Sequence, residues 1–345
     1  MSSSNSINYS IRVNKSIERK IMSEGISNVM SKFDITYRYI GFGSLWFVDF
    51  IHFHKTLKIH DMVSIEKDRI VYDRADYNKP FSCIDLVSGE SAAVLQDILS
   101  KSDMPSIIWL DYDASVYQCS SYQADVDNIV NYSKNGSLLI VTMNVGVSHG
   151  VREMKRQAAA TTEPESWVPK VTGMLRNTFG LVNMESVSGR MLTNQDRFPT
   201  LVKPYFEETI QNSIYNSGNH KVCTKIFDMA YSDGAEMLTQ GFILLDSDKN
   251  ADIDKLTPFK SPYFLNEETF RISAPILTSR EKYEIDKRLP SNDIEAFIRE
   301  AGTTDHENET YLAKEKLGFP LSVKTLRGYS QLYRYYPTFS EIFTG

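Results

Sequence analysis

Five short apolar runs, each followed by a stretch of helical period, constrain the fold of this chain more than any other feature. The runs occupy residues 38–40, 62–65, 81–86, 107–110 and 137–142. Strands and helices that alternate at this spacing form right-handed βαβ units, because two parallel strands need a long crossover connection. The pattern therefore predicts an α/β fold whose mostly parallel sheet is buried on both faces.

The sequence changes character after Val147, where the regular repeat stops. Residues 148–222 contain helical stretches and turns without a strand repeat, which predicts a helical insertion. Two apolar runs then flank the turn Ser232-Asp233-Gly234 and predict an antiparallel hairpin that closes the sheet. These boundaries divide the chain into five parts: a flexible tail (1–10), an α/β half for a cofactor (11–147), the insertion (148–222), the hairpin (223–248) and a C-terminal extension (249–345).

Composition and charge exclude several classes of protein. The chain has 38 Lys and Arg residues against 44 Asp and Glu residues, which gives a net charge of −6 at pH 7. No whole-molecule basic field therefore attracts nucleic acid or an anionic membrane surface. The cysteines Cys83, Cys119 and Cys223 are too widely spaced to indicate a disulfide framework or a zinc motif. Because no apolar segment has the length of a signal peptide core or a membrane span, we expect a cytoplasmic protein.

A strand that runs into a Gly-x-Gly turn is the most informative local motif. Gly41, Phe42 and Gly43 follow the first apolar run, and a helical stretch comes after them. Glycines at such a turn let the backbone approach a ligand closely, and the helix N-terminus favours an electronegative group. Glu66 ends the second predicted strand, directly after the run at 62–65 and 23 residues after Gly43, close to the spacing of about 20 at which an acid binds a ribose hydroxyl. The alternative is an ordinary βα turn with a surface glutamate.

Acidic residues near the ends of the third and fourth runs extend this candidate site. Asp85 and the loop after it are in position to border an adenine ring, although a turn and a helix cap explain the same residues. Asp111 and Asp113 come at the carboxyl end of a buried run, where open α/β sheets bind ligands. A buried acid is costly unless it is paired or used. We therefore assign both aspartates to the site, with capping of the next helix as the alternative.

Several ordered blocks of the sequence carry a family resemblance. They are residues 14–20, residues 39–44 with 49–50 and 53–54, residues 64–66, residues 77–81 with 84–85, and residues 109–113. Together these blocks, which span residues 11 to about 145, resemble the prokaryotic putative O-methyltransferase family. That family is grouped with the class I S-adenosylmethionine-dependent methyltransferases, whose Rossmann-like sheet has seven strands and ends in an antiparallel hairpin. The resemblance therefore implies the same sheet here, closed by the predicted hairpin.

The resemblance also implies a cofactor and the residues that hold it. The implied S-adenosylmethionine site consists of Gly41, Phe42, Gly43, Glu66 and Asp85. Asp111 is implied to lie beside the methyl group that is transferred. The wider class usually has an acid two residues before the first glycine, whereas this chain has Tyr39 there. Asp49, on the helix after the glycine turn, is the candidate replacement.

These features favour a methyltransferase that acts on an oxygen atom. Class members that methylate amino groups of bases usually carry an Asn/Asp-Pro-Pro-aromatic block at the end of strand four, and Asp111-Tyr112-Asp113-Ala114 does not resemble it. Asp111 or Asp113 is the candidate catalytic base or orienting group. The methyl acceptor, small or macromolecular, stays open. So does a metal-assisted version, because Asp111, Asp113 and Asn144 offer oxygen ligands of the kind that Mg²⁺ accepts.

Two other functions remain in competition. Tyr39 in place of the usual acid is compatible with an inactive nucleotide-binding module that binds a protein partner through residues 148–222 or the aromatic C-terminus. A nicotinamide-dependent oxidoreductase is disfavoured, because Trp46 occupies the third glycine position of Gly-x-Gly-x-x-Gly.

Two clusters of basic residues receive a structural interpretation. Arg12, Lys15, Arg19 and Lys20 form a basic N-terminal face, which we interpret as the solvated face of a helix, with phosphate contact as the alternative. Residues 327–336 interleave tyrosines with arginines. We interpret these aromatic residues as core and interface packing rather than as a base-stacking surface. The sequence thus carries no strong signal for nucleic acid.

Overall fold

The computed structural model of the chain describes residues 12–181, 187–291, 293–306, 309–313 and 317–337. The tail predicted for residues 1–10 lies outside the described residues. The main sheet contains eight strands, namely β1 (Arg38–Gly41), β2 (Met62–Glu66), β3 (Ile84–Ser88), β4 (Ser106–Ser115), β5 (Ser137–Asn144), β6 (Lys221–Ser232), β7 (Glu236–Asp246) and β8 (Phe270–Ile272).

The strand order of this sheet is β3-β2-β1-β4-β5-β7-β6-β8. Strands β1 to β5 are parallel, β7 is antiparallel to both β5 and β6, and β8 adds a parallel edge to β6. The α/β fold class is therefore confirmed, as is the sheet closed by an antiparallel hairpin. Strands β1, β2 and β3 extend the sheet to one side, whereas β4 and β5 extend it to the other side. The direction of the chain along the sheet therefore reverses between the neighbours β1 and β4, and this reversal is the topological switch point at which open α/β sheets bind ligands.

Helices cover both faces of the sheet. Those that connect the parallel strands or precede them are α1 (Val13–Phe33), α2 (Val48–Leu57), α3 (Arg69–Asn78), α4 (Ser91–Ser100) and α5 (Tyr122–Tyr132). Between β5 and β6, the described residues form α6 (His149–Ala159), α7 (Trp167–Phe179), α8 (Gly189–Thr193) and α9 (Arg197–Ser217). No helix among the described residues is long and apolar enough to cross a membrane.

Alternate residues of the central strands supply two separate cores. Ile40 and Ile108 face the side that packs against α4, α5 and the helices between β5 and β6. Their neighbours Tyr39 and Ile107 face the opposite side, where α1 and α2 pack. Successive side chains of a strand point to opposite faces, so an apolar strand of a parallel sheet serves both cores at once.

The C-terminal extension begins with a 3-10 segment, Ser247–Phe259, and builds a third, smaller core after β8. Its elements are α10 (Ser279–Asp286), α11 (Ile294–Ala301), β9 (Thr303–His306), β10 (Glu309–Leu312), β11 (Leu321–Ser322) and α12 (Val323–Leu332). The strands have two to four residues each, too few for a period-2 pattern to be read from the sequence. Tyr329 and Tyr335 are buried, in agreement with the interpretation of the aromatic segment as packing.

Candidate active site

A cavity of about 420 Å³ opens at the carboxyl edge of the parallel strands. It is lined by residues from the carboxyl halves of four strands or from the loops after them. These include Gly43 after β1, Glu66 at the end of β2, Ser91 after β3 and Asp111 in the second half of β4. It therefore lies at the topological switch point of the sheet. Its volume falls in the range of about 300 to 1,000 Å³ that is usual for small-molecule sites.

The glycine turn forms one wall of the cavity through Phe42 and Gly43. The backbone N–H of Gly43 donates a hydrogen bond to Ser64 Oγ at 3.0 Å. A Cβ atom at Gly43 would lie 2.6 Å from this oxygen and 2.7 Å from the Phe47 ring, so only glycine permits the close approach to β2. Next to it, the buried hydroxyl of Ser44 has no hydrogen-bond partner among the described residues.

Gly41 does not line the cavity, which corrects the prediction that it binds the cofactor. It is the buried last residue of β1, and a Cβ atom there would lie 2.5 Å from the hydroxyl oxygen of Tyr39. The missing side chain therefore makes room for Tyr39 rather than for a ligand.

Tyr39 and Asp49 form a hydrogen-bonded pair behind the glycine turn. The hydroxyl of Tyr39 donates to the carboxylate of Asp49, which lines the cavity. Burial raises the pKa of Asp49, while the nearby positive charge of Arg19 acts in the opposite direction. An acidic group thus stands beside the position at which the wider class usually has one, supplied by α2 instead of by β1.

Glu66 ends β2 and its half-buried side chain lines the cavity. Its Oε1 accepts a hydrogen bond from the backbone N–H of Asp68 at 2.8 Å, which fixes the direction of the carboxylate. Burial is also the main cause of the raised pKa of Glu66. An ionised carboxylate offers only hydrogen-bond acceptors, so Glu66 contributes an acceptor to the cavity wall.

The placement predicted for Asp85 is wrong. The third strand spans Ile84–Ser88 and not 81–86, so Asp85 lies near its beginning, where it pairs with Val63 and is exposed to solvent. Three residues separate it from the carboxyl end of the strand. The loop after the strand does reach the cavity, through Gly89, Glu90 and Ser91.

Asp111 and Asp113 both line the cavity. They lie within β4, which continues to Ser115 and so extends beyond the end of β1. The pairing of β4 with β5 shifts register between Asp111 and Ser115, and this irregular stretch forms part of the cavity wall. Asp113 is exposed, whereas Asp111 is half-buried and its Oδ1 accepts a hydrogen bond from Lys15 Nζ at 2.9 Å.

Lys15 and Arg19 belong to α1. The interpretation of the basic N-terminal residues as a solvated face is wrong for these two. Lys15 is 2% exposed and Arg19 is 5% exposed. Asp233, in the hairpin turn, accepts hydrogen bonds from Asn14 Nδ2 at 2.9 Å and from the backbone N–H of Lys15 at 3.1 Å. This contact holds the first turn of α1 over the sheet. Lys15 and Arg19 share a helical row with the apolar residues Met22 and Ile26, and this spacing was the signal available in the sequence.

A buried charge cluster results, and its third member is Glu18. Lys15 Nζ lies 2.9 Å from the Glu18 carboxylate and 2.9 Å from that of Asp111. Burial raises the pKa of Glu18, and the charge of Lys15 partly opposes this shift. The hydroxyl of Thr239 donates to Glu18, which connects α1 to β7. Sequence reasoning missed this cluster, because Asp111 of β4 meets Lys15 and Glu18 of α1 only in the folded chain.

A second buried acid, Asp125 of α5, lies under the part of the cavity that is lined by Ser91 and Tyr112. It accepts hydrogen bonds from the hydroxyl of Tyr112 and, at 2.8 Å, from that of Ser91. Burial is the largest cause of its shifted pKa, which is raised to about 6. Asp125 therefore fixes two residues of the cavity wall without lining the cavity itself.

The shifted pKa of Asp125 predicts a pH-dependent stability. A carboxyl group whose pKa is higher in the folded than in the unfolded state adds to the unfolding free energy. This contribution is complete at a pH below the unfolded-state pKa, and it is lost as the pH rises through the folded-state pKa. Compared with Asp125→Asn, the wild type should lose roughly 2 to 3 kcal/mol of unfolding free energy between about pH 4 and about pH 7. Urea unfolding of both proteins across this range measures the difference. Parallel stability curves would contradict the assignment.

The metal-assisted alternative gains no support from the arrangement. Within the part of the chain that the structure describes, no group of three or more His, Cys, Asp or Glu side chains is arranged to hold a metal ion. Asn144, which the sequence offered as a third oxygen ligand, uses its Oδ1 to accept a hydrogen bond from the backbone N–H of Gly146 at 2.8 Å.

Solved structures with weak overall similarity to this chain include three that concern methyl transfer or a bound cofactor. Cofactor-bound Rv0187 from MTB is 11% identical, with a TM-score of 0.38 over 71% of this chain and 85% of that one. The O-methyltransferase from Bacillus cereus in complex with SAH is 14% identical, with a TM-score of 0.34 over 64% and 80%. Trm1 from Pyrococcus horikoshii with S-adenosyl-L-methionine is 9% identical, with a TM-score of 0.42 over 72% and 60%. These likenesses are too distant to support an inference about activity.

Sequence comparison with whole families is more informative. None of the curated proteins matches this chain at a significant level. A family model described as "Putative O-methyltransferase" matches residues 7–344. The match continues through the insertion, the hairpin and the C-terminal extension, well beyond the blocks that carried the resemblance. The chain therefore belongs to the putative O-methyltransferase family.

Proposed function

We propose that the protein transfers a methyl group from S-adenosylmethionine to an oxygen atom of its acceptor. The observation that carries this proposal is that one cavity joins the glycine turn, Glu66 and the two acids of β4. In open α/β sheets this is the position of the ligand crevice, and the family membership adds methyl transfer as the chemistry. The bound cofactor supplies an electrophilic methyl group on a sulfonium.

The residues of the cavity fit the polar groups of this cofactor. Glu66 offers a carboxylate for the ribose hydroxyls, and Ser91 at the start of α4 borders the space for the adenine. The hydroxyl of Ser44, for which the described part of the chain provides no partner, supplies a further hydrogen-bonding group at the glycine turn. A buried polar group without a partner is costly, so a site that leaves one on the wall of a cavity is built to receive a ligand.

The acids of β4 would serve the acceptor. Transfer from a sulfonium chiefly requires in-line positioning, and an acceptor hydroxyl also has to lose its proton. Asp111, held in place by Lys15, is the candidate for orienting the acceptor or receiving that proton. A hydroxyl or carboxyl acceptor is favoured, because the block at 111–114 lacks the Pro-Pro-aromatic pattern that grips a planar nitrogen.

Calorimetric titration with S-adenosylmethionine, S-adenosylhomocysteine and NAD tests the proposed cofactor. We expect the first two to bind and NAD to fail. Binding of NAD alone would replace the proposal with the oxidoreductase, and binding of none would favour the partner-binding module. Asp49 beside Tyr39 argues against loss of the cofactor site, because the acid absent from β1 is supplied from α2.

Replacing Glu66 by alanine is expected to weaken S-adenosylmethionine binding by roughly 1 to 3 kcal/mol, because the ribose hydroxyls would lose a charged acceptor. Calorimetric titration measures the change. Asp85→Ala is the matched control, since this acid lies on the adjacent strand and outside the cavity. Equal affinities of the two variants would show that Glu66 does not contact the cofactor.

A further inference from the structure

The guanidinium of Arg19 is a buried cation on the wall of the cavity. Arg19 is 5% exposed, and it reaches the cavity from α1. Its Nε and Nη1 atoms are buried and have no hydrogen-bond partner among the residues that the structure describes. The other two buried basic side chains among the described residues form ion pairs: Lys15 pairs with Glu18 and Asp111, and Arg38, at the opposite edge of the sheet, pairs with Asp61.

Because no described residue supplies an acceptor for these two atoms, a ligand in the adjoining cavity is in position to supply one. An arginine side chain carries five N–H donors and no acceptor, and it stays protonated in proteins. Burying an ion without a partner costs several kcal/mol. An anion with two oxygen atoms in one plane would satisfy the donors of Arg19 with paired hydrogen bonds.

The surroundings of Arg19 narrow the choice of anion. Asp49 also lines the cavity, and it is close enough for the charge of Arg19 to act on its ionisation. A cation and an acid side by side on one wall complement a ligand that carries both signs of charge. The amino-acid end of S-adenosylmethionine, with a carboxylate and an ammonium on the same carbon, is such a ligand.

We propose that Arg19 binds the carboxylate of the amino-acid end of S-adenosylmethionine, an inference that rests on the proposed function. The adenosine end is assigned to Glu66, which ends β2, and to Ser91, which follows β3. Asp49 comes instead from α2, which follows the glycine turn after β1. Arg19 and Asp49 are therefore assigned to the amino-acid end of the cofactor. The N-terminal helix, which is no part of the βαβ repeat, completes the cofactor site.

Decarboxylated S-adenosylmethionine, which lacks only the carboxylate, tests this inference. The wild type should bind S-adenosylmethionine about 10- to 100-fold more tightly than the decarboxylated compound, the ratio expected for hydrogen bonds to a charged group. In Arg19→Gln this preference should fall to about 2-fold or less. 5′-Methylthioadenosine, which lacks the whole amino-acid end, should bind both proteins equally.

Lys20→Gln is the matched control. It removes a positive charge from the next residue of the same helix, whose Nζ donates to the backbone carbonyl of Tyr335 at 2.9 Å and does not line the cavity. This variant should keep the preference of the wild type. A similar loss in both variants would overturn the inference, because it would reduce the effect of Arg19 to general electrostatics.

The remaining outcomes are also decisive. If Arg19→Gln keeps the full preference, Arg19 does not bind the cofactor carboxylate and is left to an acceptor anion. If this variant does not fold, Arg19→Lys provides the test instead. The lysine keeps the charge but cannot form the paired hydrogen bonds, so the preference for S-adenosylmethionine should fall several-fold. An unchanged preference in Arg19→Lys would overturn the inference. A wild type that binds none of the three adenosine compounds instead refutes the proposed function itself.

Discussion

Replacing Asp111 by asparagine is expected to slow methyl transfer about 100-fold or more while S-adenosylhomocysteine still binds. The change keeps the size of the side chain and most of its hydrogen bonding, but it removes the charge that would orient the acceptor or take its proton. Transfer is measured with methyl-labelled S-adenosylmethionine and a panel of phenols and carboxylic acids. The fastest acceptor of the wild type is then used for the variant.

The fold should tolerate this substitution. Lys15 would keep Glu18 as a partner, so the buried cluster would change from two acids and one base to a neutral pair. Asp113→Asn is the comparison, because Asp113 lines the same cavity but is exposed. Transfer at the wild-type rate in both variants would remove the acids of β4 from the chemistry.

Replacing Lys15 by methionine is expected to lower the unfolding free energy by about 3 to 5 kcal/mol. The substitution would leave the carboxylates of Glu18 and Asp111 without the ammonium that lies 2.9 Å from each of them. Glu18 is fully buried, and losing Lys15 removes a charge that lowers its pKa. Denaturant unfolding near neutral pH measures the loss.

A second variant separates lost charge balance from lost packing. Lys15→Met combined with Glu18→Gln removes the buried ion pair within α1 and leaves Arg19 unchanged, and the amide can still accept the hydrogen bond from Thr239. The double variant should therefore recover much of the stability that the single variant loses. If it is as unstable as the single variant, the deficit comes from packing of the lysine stem and not from an unpaired buried acid.

The elements that could be predicted from the sequence depend on local patterns. Apolar runs located the central strands, and the turn Ser232-Asp233-Gly234 located the hairpin. Gly43 and Glu66 were found because a strand, a turn and a helix follow one another within a short stretch of chain. Asp111 and Asp113 were found because acids rarely stand in a buried run without a reason.

What could not be predicted depends on tertiary contacts. Periodicity does not reveal where a short strand begins, and an error of about three residues at β3 moved Asp85 from the exposed edge into the predicted site. Lys15 and Arg19 resemble the solvated face of a helix until α1 packs against the sheet. Asp125 and Tyr112 are partners only because α5 lies under β4.

The position of α1 has a consequence for the order in which the protein matures. The hydrogen bond between Glu18 and Thr239 joins residues 221 positions apart in the sequence, and the one between Asn14 and Asp233 joins residues 219 positions apart. Contacts between such distant segments form late, because a long loop has to close first. On the ribosome, α1 emerges before the hairpin and thus cannot form these contacts until the hairpin has been synthesised. A nascent chain can already hold the parallel strands and the glycine turn, but α1 gains the hydrogen bonds from Thr239 and to Asp233 only after the hairpin has folded onto this helix.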